Sequence, residues 1–398
     1  MATTIVLIVF AVLLEAIVSH MPFAHHLAFA SYHLFQQELT SRTSPVAIID
    51  ISDLRPQRPD QATPRRPLQD LLLAIASHNP KAIGIDIDFS PDERGQLDPA
   101  DPSFFDFCSK FRGATGIPLF LGAGRTTGGA AADWLGDAAR GPLAASIIIP
   151  HNAQHMPYAI KGPSGVSIPS LSASLATSYG EVRPRAVTGW LMRMHLIDQL
   201  ATRRDDRRMT FDEFLVDYSP VDSLFTIRTM SPDLIRDSAF DKPFRNHIVL
   251  IGDIEKATDL FSIPGRERSA PGVMLHACAT HTLVTAPLYN VTHLGGVTLT
   301  AMLIIAVLAP VVAVRAWSRR HNRKPWILKR LQGTAIVILT LAAIICSGII
   351  VRTTHIIWDG FFLAFFALAF HQPVEDLVHA AGRVLAHVGA GLASEERN

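Results

Sequence analysis

Apolar residues fall into blocks of two lengths along the chain. Four long blocks run from about Thr4 to His20, Val291 to Ala316, Gly333 to Val351 and Ile356 to Phe370. They approach the roughly 20 residues that a helix needs to cross a hydrocarbon core of about 30 Å. The short blocks, Val46 to Ile51, Ala82 to Phe89, Ile117 to Leu121, Ser146 to Ile149 and Ile248 to Ile251, are close to continuously apolar, as strands buried on both faces of a parallel sheet are. Between them the period lengthens to that of a helix over Leu68 to Ser77, over Ile168 to Tyr179, entered through Pro169, and over Gly272 to Thr285. This alternation predicts an α/β domain, mainly a parallel sheet with helices on both faces. Residues 181–220 differ in texture. With Arg203, Arg204, Asp205, Asp206, Arg207 and Arg208 adjacent, they read as an exposed helical insertion whose mixed charges face water.

Charge orients the long blocks. Arg315, Arg319, Arg320, Arg323, Lys324, Lys329 and Arg330 form a basic run without an acid, set between the second and third blocks. Short loops rich in Lys and Arg stay in the cytoplasm, so the predicted layout is an N-terminal anchor (1–24), an extracytoplasmic domain (25–290), three transmembrane helices (291–370) and a cytoplasmic tail (371–398). The basic loop is 317–330 and both termini lie inside, four spans in all. A cleaved leader is the rival for the first block, but the small residues Ala28 and Ala30 lie well past its end and no Lys or Arg precedes it. In the tail, Leu377, Val384 and Leu385 recur at helical spacing with other apolar residues, an amphipathic helix for a membrane surface or a partner subunit. Glu15 within the first block costs about 2.5–3.5 kcal/mol near a bilayer centre, which makes it a second candidate for partner contact.

Composition narrows the class. Of 398 residues, 48% are hydrophobic and 18% charged, poorer in charge than an ordinary soluble protein, and the net charge of +1 gives no basic face for nucleic acid. Cys108 and Cys278 read as buried free thiols, with pairing as the alternative, and Cys346 as an apolar filler.

Three segments resemble a known family. They are Pro45-Val46-Ala47-Ile48-Ile49-Asp50-Ile51 followed by Asp53; Lys81-Ala82-Ile83-Gly84-Ile85-Asp86-Ile87-Asp88-Phe89; and His247-Ile248-Val249-Leu250-Ile251-Gly252 with Asp259, Pro264 and Pro271-Gly272-Val273-Met274-Leu275-His276-Ala277. Together with the layout they resemble the type 2 CHASE domain, an extracytoplasmic sensory module of bacterial membrane receptors. The resemblance implies a bacterial inner-membrane location and a sensor role. Two features depart from the family's pattern. Thr63-Pro64-Arg65-Arg66-Pro67 stands where a Trp-containing motif is common, and a tail from His371 is too short for a catalytic output domain.

Candidate chemistry lies at strand ends. Asp50, Asp53, Asp86 and Asp88 sit at or just past the carboxyl ends of the first two strands, and Asp253 and Asp259 follow the late strand. Neighbouring parallel strands are about 4.8 Å apart, so these carboxylates are a candidate site for a polar ligand or a divalent cation. The plainer reading is that they cap turns. His276, with Cys278 and His281 nearby, lacks the spacing of a helical metal pair and reads as a packed core histidine; His151 and His155 are a weaker zinc candidate. Gly122, Gly124, Gly128 and Gly129 form no phosphate-binding fingerprint, and no Gly-x-Ser-x-Gly elbow is present. The expectation is therefore a membrane-anchored ligand- or protein-binding sensor acting through partner subunits. The alternatives are a structural scaffold of a larger membrane complex and, less favoured, a metal-dependent enzyme.

Overall fold

In the computed structural model, which describes residues 44–299, 302 and 355–357 apart from 55–62, 93–94, 125–142, 151–152, 162–166, 181–185, 207–208, 229–234, 256–258, 264–268 and 286, the short apolar runs become strands in chain order. The elements are β1 (Val46–Asp50), α1 (Arg65–Ala76), β2 (Ala82–Ile85), α2 (Asp101–Thr115), β3 (Leu119–Ala123), β4 (Ala144–Ser146), β5 (His155–Lys161) and β6 (Ser167–Pro169). There follow α3 (Leu171–Tyr179), α4 (Ala186–Arg193), β7 (Ile197–Asp198), β8 (Leu200–Asp206), β9 (Met209–Leu215), β10 (Phe225–Arg228), α5 (Asp241–Phe244) and β11 (Ile248–Gly252). Last come β12 (Leu260–Ser262), β13 (Ser269–Pro271), α6 (Gly272–Thr285), β14 (Tyr289–Val291) and β15 (Ile356–Ile357). The chain divides into two compact units: His33–Arg185 with Gln199–Asn290, and Met1–Tyr32 with Ala186–Asp198 and Val291–Asn398.

The first unit holds a six-stranded sheet in the order β10-β1-β11-β2-β3-β4, every neighbouring pair parallel. Because side chains alternate between faces, each strand feeds two cores. On one face Ala47, Ile49, Ile83, Ile85 and Ile251 pack against Leu68 and Leu72 of α1 and Phe104 and Phe111 of α2. On the other, Val46, Ile48, Ile248 and Leu250 pack against Leu171 and Leu175 of α3 and Val273 and Leu275 of α6. The α/β expectation with helices on both faces holds. Polar residues lock these layers together: His78, past the end of α1, bonds through Nδ1 to Asp241 (2.8 Å) and through Nε2 to the Ile235 carbonyl.

Three expectations are corrected. First, β1 and β2 are not neighbours; β11, the latest strand of the sheet in sequence, is inserted between them. Second, residues 181–220 are not a helical insertion. Among the described residues only α4 is helical there, and Arg203 to Asp206 belong to the hairpin strand β8, paired antiparallel with β9 in a separate sheet ordered β6-β5-β9-β8. The run pairs like charges in sequence, Arg203-Arg204 and Asp205-Asp206, so the sequence shows no alternation of period two. Third, α3 is entered through Ser170, whose hydroxyl accepts from the Ala173 N–H, while Pro169 closes β6.

Among the described residues no helix is long and apolar enough to cross a membrane. The four long apolar blocks, Glu15, Leu377, Val384, Leu385, His151 and Cys346 lie outside the described residues, save that 293–299 are helical and that Ile356–Ile357 are strand rather than the start of a helix.

Candidate functional site

Strand order marks the carboxyl edge of the parallel sheet as the place where a ligand would bind. β1 and β2 lead into α1 and α2 on one face, while β11 leads, through the β12–β13 hairpin, into α6 on the opposite face. Loops that leave neighbouring strands toward opposite faces leave a crevice between them, the usual ligand position in an open α/β sheet. Here it lies around the end of β11, with Asp50 in register with Gly252 on one side and Asp86 on the other, its N–H donating to the Ile251 carbonyl at 2.8 Å.

The predicted aspartates divide into tethers and crevice groups. Asp50 is 1% exposed; its Oδ1 accepts from the N–H of Ser52 (3.0 Å) and Ile254 (3.2 Å), and its Oδ2 from the Ser52 hydroxyl (2.8 Å). It ties the loop after β1 to the loop after β11. Asp88 does the same for β2 and β3, accepting from the N–H of Ser90 and Gly124 at 2.9 Å each. Asp253 accepts from Glu255 N–H in a local turn, and Asp53 pairs at 3.3 Å with Arg228, which also reaches Glu255 at 3.1 Å. Arg228 was not singled out in the sequence, where one Arg at a strand end carries no signal until its strand is known to lie beside β1.

Asp86 and Asp259 instead face the start of α6. Asp86 Oδ1 is 4.0 Å from His276 Nε2, and an Asp259 carboxylate oxygen lies 2.8 Å from where a β-carbon on Gly272 would stand. His276 is fully buried; its Nε2 makes a long hydrogen bond of 3.4 Å to the Ile147 carbonyl, and Ser172 Oγ lies 3.2 Å from its Nδ1. A carbonyl accepts only, so Nε2 carries the proton and Nδ1 accepts from the serine. Burial pushes the imidazole down to about 4, opposed by the Ile147 carbonyl and the Asp259 charge, so the ring is neutral near pH 7. The core-histidine reading of His276 stands, and His281 is buried likewise, its Nδ1 meeting Ser44 Oγ at 3.1 Å. Cys108 and Cys278 are buried and are not joined by a disulfide.

Among the described residues no three of His, Cys, Asp and Glu are placed to hold a metal ion. The physical reason is the inserted strand: with β11 between them, β1 and β2 are about 9.6 Å apart, and the Asp50 oxygens already accept from three donors.

Close packing at Gly252 shapes the crevice. A β-carbon there would lie 2.7 Å from Val273 Cγ2 and 3.3 Å from Asp86 Cβ, so glycine is what lets α6 start directly over the end of β11. Gly252→Ala is expected to destabilise the protein by about 1–3 kcal/mol, the usual cost of overpacking, read as a lowered melting temperature.

Neither a curated protein nor a solved structure matches the chain. The family model described as the CHASE2 domain matches residues 4–313, which takes in the whole parallel sheet, both flanking cores and the crevice, and the chain belongs to this family of extracytoplasmic sensory domains.

Proposed function

We propose that the protein is a membrane-anchored sensor whose extracytoplasmic α/β domain binds a small polar ligand or a protein segment at the β11 crevice and acts through partner subunits. The observation that carries this reading is the family match over residues 4–313, which runs from the first apolar block into the second and encloses the crevice. The apolar blocks at both ends and the basic run after Arg315 support an inner-membrane position with the domain outside the cytoplasm. A topology test uses Asn246, an exposed residue just before β11. Asn246→Cys is expected to react with a membrane-impermeant maleimide on intact spheroplasts. Labelling only after lysis would place the domain inside and remove the sensor reading.

Asp86 and Asp259 are the residues placed to greet a cationic or hydroxyl-bearing group, with the neutral His276 behind Asp86. Thermal melting of the full-length protein in mild detergent against a panel of amino acids, sugars and polyamines is expected to yield a stabilising compound. Asp86→Asn is expected to weaken its binding about tenfold, the loss of one charge-assisted hydrogen bond. A second reading, a scaffold whose sensory site has lapsed, is favoured by the Asp50 and Asp88 carboxylates, which hold loops closed. In that case no compound shifts the melting point and other subunits co-purify in fixed ratio.

A further inference from the structure

From the geometry of the second unit we infer that α4 is a membrane-surface helix, its apolar stripe lying among lipid headgroups beside the apolar block that begins at Val291. This rests on the membrane-anchored reading above. The chain leaves the α/β unit at Ala186 and returns at Gln199, and the excursion groups with the segments that contain the long apolar blocks.

Val187, Trp190 and Met194 are 61%, 51% and 52% exposed, at spacings that put them on one face, while Thr188 on the far side is buried. A stripe of this size turned to water forfeits burial that a helix of eight residues cannot recover from propensity. The helix is nonetheless fixed at its end. His195 takes a left-handed φ of 56° and donates to the Met192 carbonyl, and Leu196 donates to the Leu191 carbonyl, the paired bonds of a Schellman stop. That stop is bonded to the start of the second apolar block: Thr292 Oγ1 donates to the His195 carbonyl (2.6 Å), and its N–H to the Leu196 carbonyl (3.1 Å). A β-carbon on Gly295 would fall 1.9 Å from the Leu196 carbonyl oxygen, so the helical turn at 293–299 presses directly on the α4 stop.

The occupant follows from this continuity and from charge. A helix bonded to the first turn of a span lies at the depth where that span enters the bilayer. Trp at such a level is the interfacial aromatic, and the sequence from Glu181 to Asp198 carries Arg183, Arg185 and Arg193 against one acid at each end, a net positive stretch that suits phosphate headgroups rather than a basic partner. Leu294, 58% exposed, continues the apolar surface on the 293–299 turn.

The test is depth measurement on the full chain in phosphatidylglycerol–phosphatidylethanolamine nanodiscs. Nitroxide labels go on Val187→Cys, Met194→Cys, Arg193→Cys and Ile305→Cys; Cys108 and Cys278 are buried and stay, and Cys346 becomes Ala. The ratio of collisions with oxygen to those with a water-soluble nickel complex is expected to be several-fold higher at 187 and 194 than at 193, and highest at 305. Positions 187 and 194 reading as water while 305 reads as lipid overturns the surface helix and leaves the anchor. Shielding of 187 and 194 from both reagents overturns it in favour of a protein contact. Water at all four positions removes the membrane reading itself.

Discussion

Replacing Arg65 by Met is expected to destabilise the protein by about 3–5 kcal/mol, because it strands a carboxylate that the fold has taken out of water. Arg65, at the start of α1, and Asp101, at the start of α2, meet through Nε and Oδ1 at 2.7 Å with side-chain exposures of only 6% and 4%. A second guanidinium nitrogen donates to the Thr63 carbonyl at 3.0 Å, and the carbon at the centre of the group lies 4.5 Å from the centre of the Phe89 ring. Burial raises the Asp101 carboxyl above its ordinary value even though Arg65 opposes the rise. The pair therefore holds an expensive charge in place rather than adding net stability. Without Arg65 the carboxyl rises further, and the loss in Arg65→Met should shrink on acidification as Asp101 takes up a proton. Arg65→Met combined with Asp101→Leu should recover most of the loss, since apolar replacements of a buried pair are often neutral. For a domain of this size the single variant should melt about 10 °C lower. Equal melting of single and double variants would show that the pair is not coupled.

Much of the sheet was legible because parallel strands buried on both faces need apolar residues at every position. β1, β11 and α6 lie where the sequence places them, α6 at the same two ends, Gly272 and Thr285. What was not legible follows from contacts distant in sequence. The insertion of β11 between β1 and β2 joins residues some two hundred positions apart, Ile254 N–H to Asp50 among them, and no local pattern encodes that. It is also what turned a predicted acidic cluster into separate roles. Asp50 and Asp88 became loop ties, whereas Asp86 was brought to His276, which the sequence had set aside as core. The β8–β9 hairpin was hidden because paired like charges mask a period of two. Residue 195 offered no sign either, since a left-handed helix stop is usually Gly and here is His.

Acid should destabilise the protein through His276 before most carboxylates are titrated. The imidazole lies at about 4 in the folded state against an ordinary 6.5, lowered chiefly by burial. Between those values the unfolded chain binds a proton that the folded one refuses. Stability therefore rises with pH across the window, is complete above about 6.5, and is lost as pH falls toward 4. At 1.36 kcal/mol per unit the loss from this group is about 3 kcal/mol. His276→Gln removes the titration while keeping a side-chain amide near Ser172, so its melting temperature is expected to start lower at pH 7 and fall less between pH 6.5 and 4. An unchanged slope would assign the acid sensitivity elsewhere. Because His276 Nε2 is 4.0 Å from Asp86, a cationic ligand seated on Asp86 would oppose protonation of the ring. Protonation of the ring must oppose the ligand equally, so such a ligand is expected to stabilise the protein less as pH falls toward 4. A stabilisation independent of pH would separate the crevice ligand from His276.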